Sequence, residues 1–404
     1  MPIDRWTGAL RERNFRLLFI GQTASQIGTG MAPVAIVFAV LAHGSVEDVG
    51  YVLAAQTIPL VVLLLVGGVV GDLTSRRKLM LQSDALRTLA EFALGLWILL
   101  GRPSLVGFMI LAALMGIGQA FFNPALTAIV PQLLSAQRLQ EGNALLGIAN
   151  SSGTIIGPAI AGIVVAVSSP GWAILMDGAT YLVSVVSLSL VQIDWSAAEI
   201  TESFTELLIQ GWREFWSRTW LWVVVIEFSF VNALFASFLV LGPEVAKNSL
   251  GGAASWGLII ASEGVGSVLG GVVMLRARPR RPLLVATLST LAFPLPLFFI
   301  AVPSTTIVVA SAAFVAGGFV AVFSVLWSTT LQNEIPTQVL SRISAYDWFG
   351  SMVLLPIGMA GVAPIAAIIG VRATLFGSGG LMVLLICVAL AIPSVRRLRQ
   401  ADSG

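Results

Sequence analysis

Gly67-Gly68-Val69-Val70-Gly71-Asp72-Leu73-Thr74-Ser75-Arg76-Arg77-Lys78 closes an apolar segment on a glycine pair and runs into a basic turn. At an offset of 203 positions, Gly270-Gly271-Val272-Val273-Met274-Leu275-Arg276-Ala277-Arg278-Pro279-Arg280-Arg281 does the same, with Leu275 in the place of Asp72. A second pair of stretches has nearly the same offset. Pro131-Gln132-Leu133-Leu134-Ser135, followed by Arg138, matches Pro336-Thr337-Gln338-Val339-Leu340-Ser341-Arg342. The chain reads as a duplication whose halves each carry close-packed helices ending in basic turns. Parallel internal repeats of this kind are a hallmark of secondary transporters.

Composition names the solvent. Of 404 residues, 57% are hydrophobic and 10% charged, with a mean hydropathy of +0.94. A soluble domain has about 25% charged residues, so most of this surface must face lipid. A net charge of +2 does not suggest nucleic acid. One cysteine, Cys387, allows no internal disulfide, and a single histidine, His43, argues against a His-based metal site or a Ser-His-Asp triad. No cofactor is expected, and no enzyme chemistry. Arg5, Arg11, Arg13 and Arg16 precede an apolar run too long for a cleavable leader, so that run is expected to be a retained first span.

Apolar segments fall at 15–42, 49–71, 79–101, 104–130, 142–168 and 171–193, then at 219–245, 254–275, 282–301, 304–332, 341–369 and 371–393. The predicted fold is an all-α membrane protein of twelve transmembrane helices in two pseudosymmetric six-helix bundles. The predicted bundles cover 1–193 and 219–404. A cytoplasmic linker at 194–218 holds Asp194, Glu199, Glu202, Glu206, Arg213, Glu214 and Arg218 and is expected to include a short amphipathic helix. With the N-terminus inside, all of the 22 Lys and Arg residues except Arg87, Arg102, Lys247 and Arg372 lie in cytoplasmic segments. Both termini are therefore expected to be cytoplasmic, in the cell membrane.

The turn built on Gly68, Asp72, Arg76 and Arg77 resembles the signature loop of the major facilitator superfamily, between its second and third helices. The resemblance implies a conformational gate; without it, the loop reads as a positively charged topology anchor. The fifth span contains Gly153-Thr154-Ile155-Ile156-Gly157-Pro158-Ala159-Ile160-Ala161-Gly162. Its small residues Gly153, Gly157 and Gly162 make a thin face, and Pro158 removes a backbone donor. This stretch looks like the helix-5 signature of the superfamily's drug–proton antiporters. Further stretches resemble a branch that includes siderophore exporters and macrolide-efflux proteins. They are Arg13-Asn14-Phe15-Arg16, Gly118-Gln119-Ala120-Phe121-Phe122-Asn123-Pro124-Ala125, Asp177-Gly178-Ala179-Thr180-Tyr181-Leu182-Val183-Ser184 and Gly211-Trp212-Arg213. The resemblance covers nearly the whole chain and implies export of drugs, antibiotics, siderophores or other secondary metabolites by proton-coupled alternating access.

The departures redirect the search for a proton path. Thr29 follows Ser25-Gln26-Ile27-Gly28 where that branch often has an acid, Gln132 stands in place of an aspartate, and the fourth span lacks an arginine. The resemblance places the first, fourth, seventh and tenth spans around the cavity. Among those apolar cores only the seventh has an acid. This is Glu227, about eight residues in, or roughly 12 Å deep. It reads either as a proton carrier or as a carboxylate facing a wet vestibule or a loop arginine. Asp84, Arg87 and Glu91 share one face of the third span, as an internally neutralised network with Glu91 as a second proton candidate. Asp177 is expected to cap its helix, and Glu263 and Asp347 to support packing or the inner gate.

For substrate contact the candidates are Gln22, Gln26 and Thr29, then Gln119 and Asn123, then Ser324, Trp327 and Ser328; each set equally suits interhelical hydrogen bonding. Such walls suit a bulky amphipathic or weakly cationic solute. The expected partners are that small molecule, protons and the lipid bilayer, with the protein acting as a monomer. The alternatives are an uptake symporter or facilitator and, further off, a non-transporting receptor or scaffold.

Overall fold

The computed structural model describes residues 8–42, 46–101, 103–193, 203–251, 253–302 and 304–398. Arg5, His43, Arg102 and the linker residues 194–202, with Asp194, Glu199 and Glu202, lie outside the described residues. In chain order the helices are α1 (Gly8–Arg11), α2 (Arg13–Leu41), α3 (Val46–Leu73), α4 (Arg76–Leu100), α5 (Leu105–Leu133), α6 (Leu139–Val167), α7 (Pro170–Ser189), α8 (Phe204–Ser217) and α9 (Thr219–Val245). Then come α10 (Ala253–Met274), α11 (Pro282–Ser289), α12 (Leu295–Ile300), α13 (Thr306–Glu334), α14 (Leu340–Met352), α15 (Leu355–Ile369), α16 (Val371–Ala391) and α17 (Pro393–Arg397).

Eleven segments among the described residues are long and apolar enough to cross a membrane. Helix α4, the expected third span, is not among them; it carries Asp84, Arg87 and Glu91 and buries all three. Burial differs from that of a soluble protein at its surface and among its charges. Leu100, Val167 and Ile368 are exposed, while Asp84, Asp177 and Ser184 are fully buried. That is the pattern of a chain whose outside faces lipid and whose polar groups must satisfy one another inside.

Two predicted spans are broken. The span at 282–301 divides into α11, a 3-10 turn at Thr290–Ala292, and α12. Pro294 and Pro296 remove two backbone donors, and the hydroxyls of Ser289 and Thr290 bond back to the Ala286 and Thr287 carbonyls. The span at 341–369 breaks between α14 and α15, just before Pro356. At the end of α15, Gly370 adopts a φ of 88°, a left-handed value that suits glycine. Helix α8 starts with a capping box: Ser203 N–H donates to Glu206 Oε2 (2.6 Å) and Glu206 N–H to Ser203 Oγ (3.3 Å).

The chain divides into two compact units. Unit 1 is Met1–Trp212 with Gln332–Tyr346, and unit 2 is Arg213–Leu331 with Asp347–Gly404. Within unit 1, α3 packs on α5, α2 on α6 and α7, and α4 on α5 and α7. Glycines permit these approaches. A Cβ on Gly116 would lie 1.9 Å from the Gln56 carbonyl oxygen, and one on Gly153 would lie 2.3 Å from that of Gln26. In unit 2, α9 packs on α15 and α16. An aromatic column there runs from Trp220 through Trp327 and Phe323 to Phe228, with the last two stacked at 4.6 Å.

Candidate functional site

Helix α14 has no capping side chain of its own. Val339 stands at the N-cap position and offers no acceptor, so the N–H groups of the first turn need one from elsewhere. Asp72, near the end of α3, supplies it. The Ser341 N–H donates to its Oδ1 and the Arg342 N–H to its Oδ2, both at 3.2 Å. Arg342 Nε adds a bond to Oδ2 at 2.8 Å, and Arg76 donates to Oδ1 at 3.2 Å. The Asp72 side chain is 1% exposed, so these bonds are made away from water. A carboxylate at a helix N-terminus also meets the positive end of the helix dipole. The segment Gln332–Tyr346 groups with unit 1, and this clasp is the chemistry that holds it there.

Gly68 and Gly71 allow the approach. A Cβ on Gly68 would lie 2.5 Å from that of Ala345, and one on Gly71 would lie 2.9 Å from Ser341 Oγ. Arg76 completes the clasp by donating to the Thr337 carbonyl and to Ser341 Oγ. Arg77 points elsewhere and pairs with no acid among the described residues. Its guanidinium donates to the Leu188 and Ser189 carbonyls, capping the negative end of α7.

Five partners of this segment were not among the predicted site residues. Arg342 Nη1 donates to Gln210 Oε1 (2.9 Å) and the Leu207 carbonyl (3.2 Å), and Tyr346 donates to the Leu208 carbonyl, so α8 is tied to the start of α14. Asn143 and Gln332 form an amide pair: Asn143 Nδ2 donates to Gln332 Oε1 at 2.7 Å, and Gln332 Nε2 reaches the Thr127 carbonyl. No spacing rule finds such a pair, since 189 residues separate the two amides.

Of the other predicted gate residues, Gly153 and Gly157 meet α2; a Cβ on Gly157 would lie 2.6 Å from the Gly30 Cα. Gly162 has nothing within 4 Å of a built Cβ, and the fully buried Ala161 beside it makes the inward contact. Pro158 is half-buried within a continuous α6.

Inside unit 1, Arg87 donates to Asp84, and Ser184 Oγ donates to the other Asp84 oxygen at 2.6 Å. Among the described residues Glu91 makes no ion pair with Arg87, and it packs on α7 beside Asp177, where a Cβ on Gly178 would lie 3.3 Å from the Glu91 Cβ. Asp177 is not a helix cap, because Ser169 holds that position and Asp177 sits fully buried in the body of α7. The Thr29 hydroxyl is engaged by the Ser25 carbonyl and by Tyr181 Oη, both at 2.8 Å. Gln22 is buried with no acceptor for its Nε2 among the described residues, whereas Gln26, Gln119 and Asn123 are half-buried.

In unit 2, Glu227 is buried, and neither carboxylate oxygen meets a donor among the described residues. Trp327 is buried and donates its indole N–H to Asp347 Oδ2 at 3.0 Å. Ser324 is exposed and bonds back to the Val320 carbonyl; Ser328 is half-buried. Glu263 is half-buried, and its backbone takes part in packing, its carbonyl oxygen lying 1.9 Å from a Cβ built on Gly317.

The model of the transmembrane secretion effector family matches residues 6–403. This chain belongs to that family.

It is a family of the major facilitator superfamily, whose members are transporters and not enzymes. Among similar proteins, the multidrug efflux pump Tap of Mycolicibacterium fortuitum is 26% identical over 403 residues, covering 96% of this chain and 97% of that protein. The enterobactin exporter EntS of Shigella flexneri is 26% identical over 391 residues, covering 96% and 93%. The fold is that of the human organic anion transporter MFSD10 (TM-score 0.72, 16% identity, 96% of this chain and 100% of that one). It is also that of a bacterial homologue of the iron transporter ferroportin in its outward-facing state (TM-score 0.74, 14% identity, 93% and 98%). As a secretion effector this chain is a multi-pass membrane protein. The Arg13-Asn14-Phe15-Arg16 stretch acquires a structural role: Asn14 exchanges hydrogen bonds with both backbone groups of Gln192 at the end of the N-terminal half.

Proposed function

We propose that this chain is a proton-driven exporter of hydrophobic or amphipathic small molecules, acting as a monomer in the cell membrane with both termini cytoplasmic. The observation that carries this reading is the cap that Asp72 places on the first turn of α14. A helix whose N-terminal donors are satisfied from another part of the chain can be released by moving that part, and the two arrangements are what alternating access needs. The predicted halves, 1–193 and 219–404 with 194–218 between them, are the moving bodies. Gly68, Asp72 and Arg76 form the cytoplasmic gate. Gly153 and Gly157 let α6 and α2 sit close together; Pro158 loosens α6 locally.

Outward direction is supported by the similar proteins, a multidrug efflux pump and an enterobactin exporter. For the substrate, Gln22, Gln26, Thr29, Gln119 and Asn123 supply polar groups in the first unit, and Ser324 and Ser328 in the second. Trp327 supplies an aromatic face whose N–H is already engaged. Glu227 carries the proton: a buried carboxyl without a donor on either oxygen has a reason to take one up. The deciding measurement is uptake of hydrophobic dyes and antibiotics into everted vesicles, with and without an imposed pH gradient. Wild-type protein accumulates dye only with the gradient, and Glu227→Gln abolishes this while folding normally. Undiminished gradient-driven accumulation by that variant removes Glu227 from the proton path.

A further inference from the structure

We propose that Glu91 and Asp177 form a proton-binding site in which the two carboxyl groups share one proton. For its use in transport this rests on the proton-coupled reading above, but the site itself is read from charge and packing. Helices α4, α7, α2 and α5 enclose four charged side chains, the acids Asp84, Glu91 and Asp177 and the cation Arg87, all of them buried. Arg87 and Asp84 neutralise each other, and Ser184 satisfies the second Asp84 oxygen. The Arg87 guanidinium is also held by two rings, 4.6 Å from the centre of Phe122 and 4.3 Å from that of Tyr181.

Glu91 and Asp177 then remain, and neither makes an ion pair among the described residues. They are 3% and 0% exposed, and they meet where α4 packs on α7: a Cβ on Gly178, the residue after Asp177, would lie 3.3 Å from the Glu91 Cβ. Glu91 Oε2 and Asp177 Oδ2 meet no donor among the described residues, and Asp177 Oδ1 receives only the Thr180 hydroxyl at 3.3 Å. Two carboxylates can bond to each other only through a proton, and two bare anions this close cannot both stay ionised away from water. The charged and titratable groups facing the pair are Asp84 and Arg87 from α4 and Tyr181 from α7. Helices α2 and α5 present Gly28, Thr29 and Phe122, none of which titrates.

The site is also wired to α2, the helix of Gln22 and Gln26. A Cβ on Gly28 would lie 2.2 Å from Asp177 Oδ1 and 2.1 Å from Thr180 Oγ1, so the α2 backbone rests directly on the acid. Thr29 bonds to Tyr181, whose ring covers Arg87. Loss of the shared proton leaves two anions against one another and pushes α7 from α4, a movement that α2 feels through both contacts.

Infrared spectroscopy of the purified protein reads the shared proton as a protonated-carboxyl C=O band that shifts in heavy water. Glu91→Gln and Asp177→Asn each replace one acid by a neutral amide of the same shape that can donate to the other. Each single variant is expected to lose the same band, and the double variant no more than either. Glu227→Gln leaves this band in place, so a failed transport assignment for Glu227 does not touch the result. Losses that add in the double variant mean two independently protonated acids and overturn the sharing. An unchanged band in both single variants means that neither group holds a proton, which overturns the site.

Discussion

The two copies of the basic turn keep the same packing and differ in one acceptor. In the first, a Cβ on Gly67 would lie 2.5 Å from the Ala120 carbonyl oxygen, and in the second, one on Gly270 would lie 2.1 Å from that of Gly318. Both copies therefore need glycine where helices cross. Past the glycines they part. Asp72 takes four bonds from Arg76 and the start of α14. Leu275 has no acceptor side chain; its N–H closes onto the Gly271 and Val272 carbonyls, and Arg276, Arg278, Arg280 and Arg281 behind it are exposed. Duplication preserved the crossing because a clash is costly in either half, whereas the clasp survives in one copy.

The largest effect is expected from Asp72→Asn, which keeps the shape and removes the charge. Charge-assisted hydrogen bonds contribute about 1.5–3 kcal/mol each, and each 1.36 kcal/mol is about tenfold in rate. Transport should fall by on the order of tenfold or more with little change in substrate affinity, as measured by initial rates and equilibrium binding; a pure affinity loss would contradict the gate. Next come the glycines. Overpacking costs about 1–3 kcal/mol, so Gly68→Val should slow transport by displacing Ala345, while Gly270→Val should chiefly lower the thermal stability of the second half. Equal effects on both readouts would erase the distinction between the copies. The neutral amide pair is worth less, about 0.5–1.5 kcal/mol per bond. Asn143→Ala and Gln332→Ala should each slow or speed gating a few-fold, and a double-mutant cycle on transport rate should show them to be coupled. Smallest of all, Leu275→Asp should leave transport within about twofold of wild type and fail to rescue Asp72→Asn; rescue would show the copies to be interchangeable.

A pH test bears on α8, which braces Arg342. The backbone N–H and hydroxyl of Ser203 hold the exposed Glu206 carboxyl below its ordinary value. A group with a depressed folded value stabilises above its unfolded pKa, about 4.3 for Glu, and that contribution is lost as pH falls through the folded value. Hydrogen exchange at the first turn of α8 should therefore quicken only below about pH 4, and Glu206→Gln should remove that dependence.

Much of the fold was legible because membrane spans are long apolar runs bounded by charge, and because the repeat showed itself twice. The breaks in two spans were also written in Pro294, Pro296 and Pro356 and needed only to be weighted above hydropathy. Site residues were less legible. Asp72 and Arg76 were found from the turn, whereas the bonds of Arg77, grouped with them in the sequence, go to the end of α7. Asp177 looked like a helix cap because it lies near the start of its segment; packing of α7 on α4 places it beside Glu91. Gly162 matched a small-residue period, yet that face of α6 meets nothing there. Periodicity tells which residues share a face and is silent on what the face meets.

The sequence alone determined that this chain crosses a membrane many times, that it is duplicated, and that one copy of its turn holds an acid the other lacks. These are local or periodic properties, set by hydropathy and by spacing along one chain. Only the tertiary structure decided what that acid does. Its partners, Ser341 and Arg342, lie 269 and 270 positions away, and a distance of that kind has no trace in spacing. The same holds for the buried charges, whose balance depends on which helices bring them together. Asp84 could answer for Arg87 from its own helix; that Glu91 is left to Asp177 needed α7 in place.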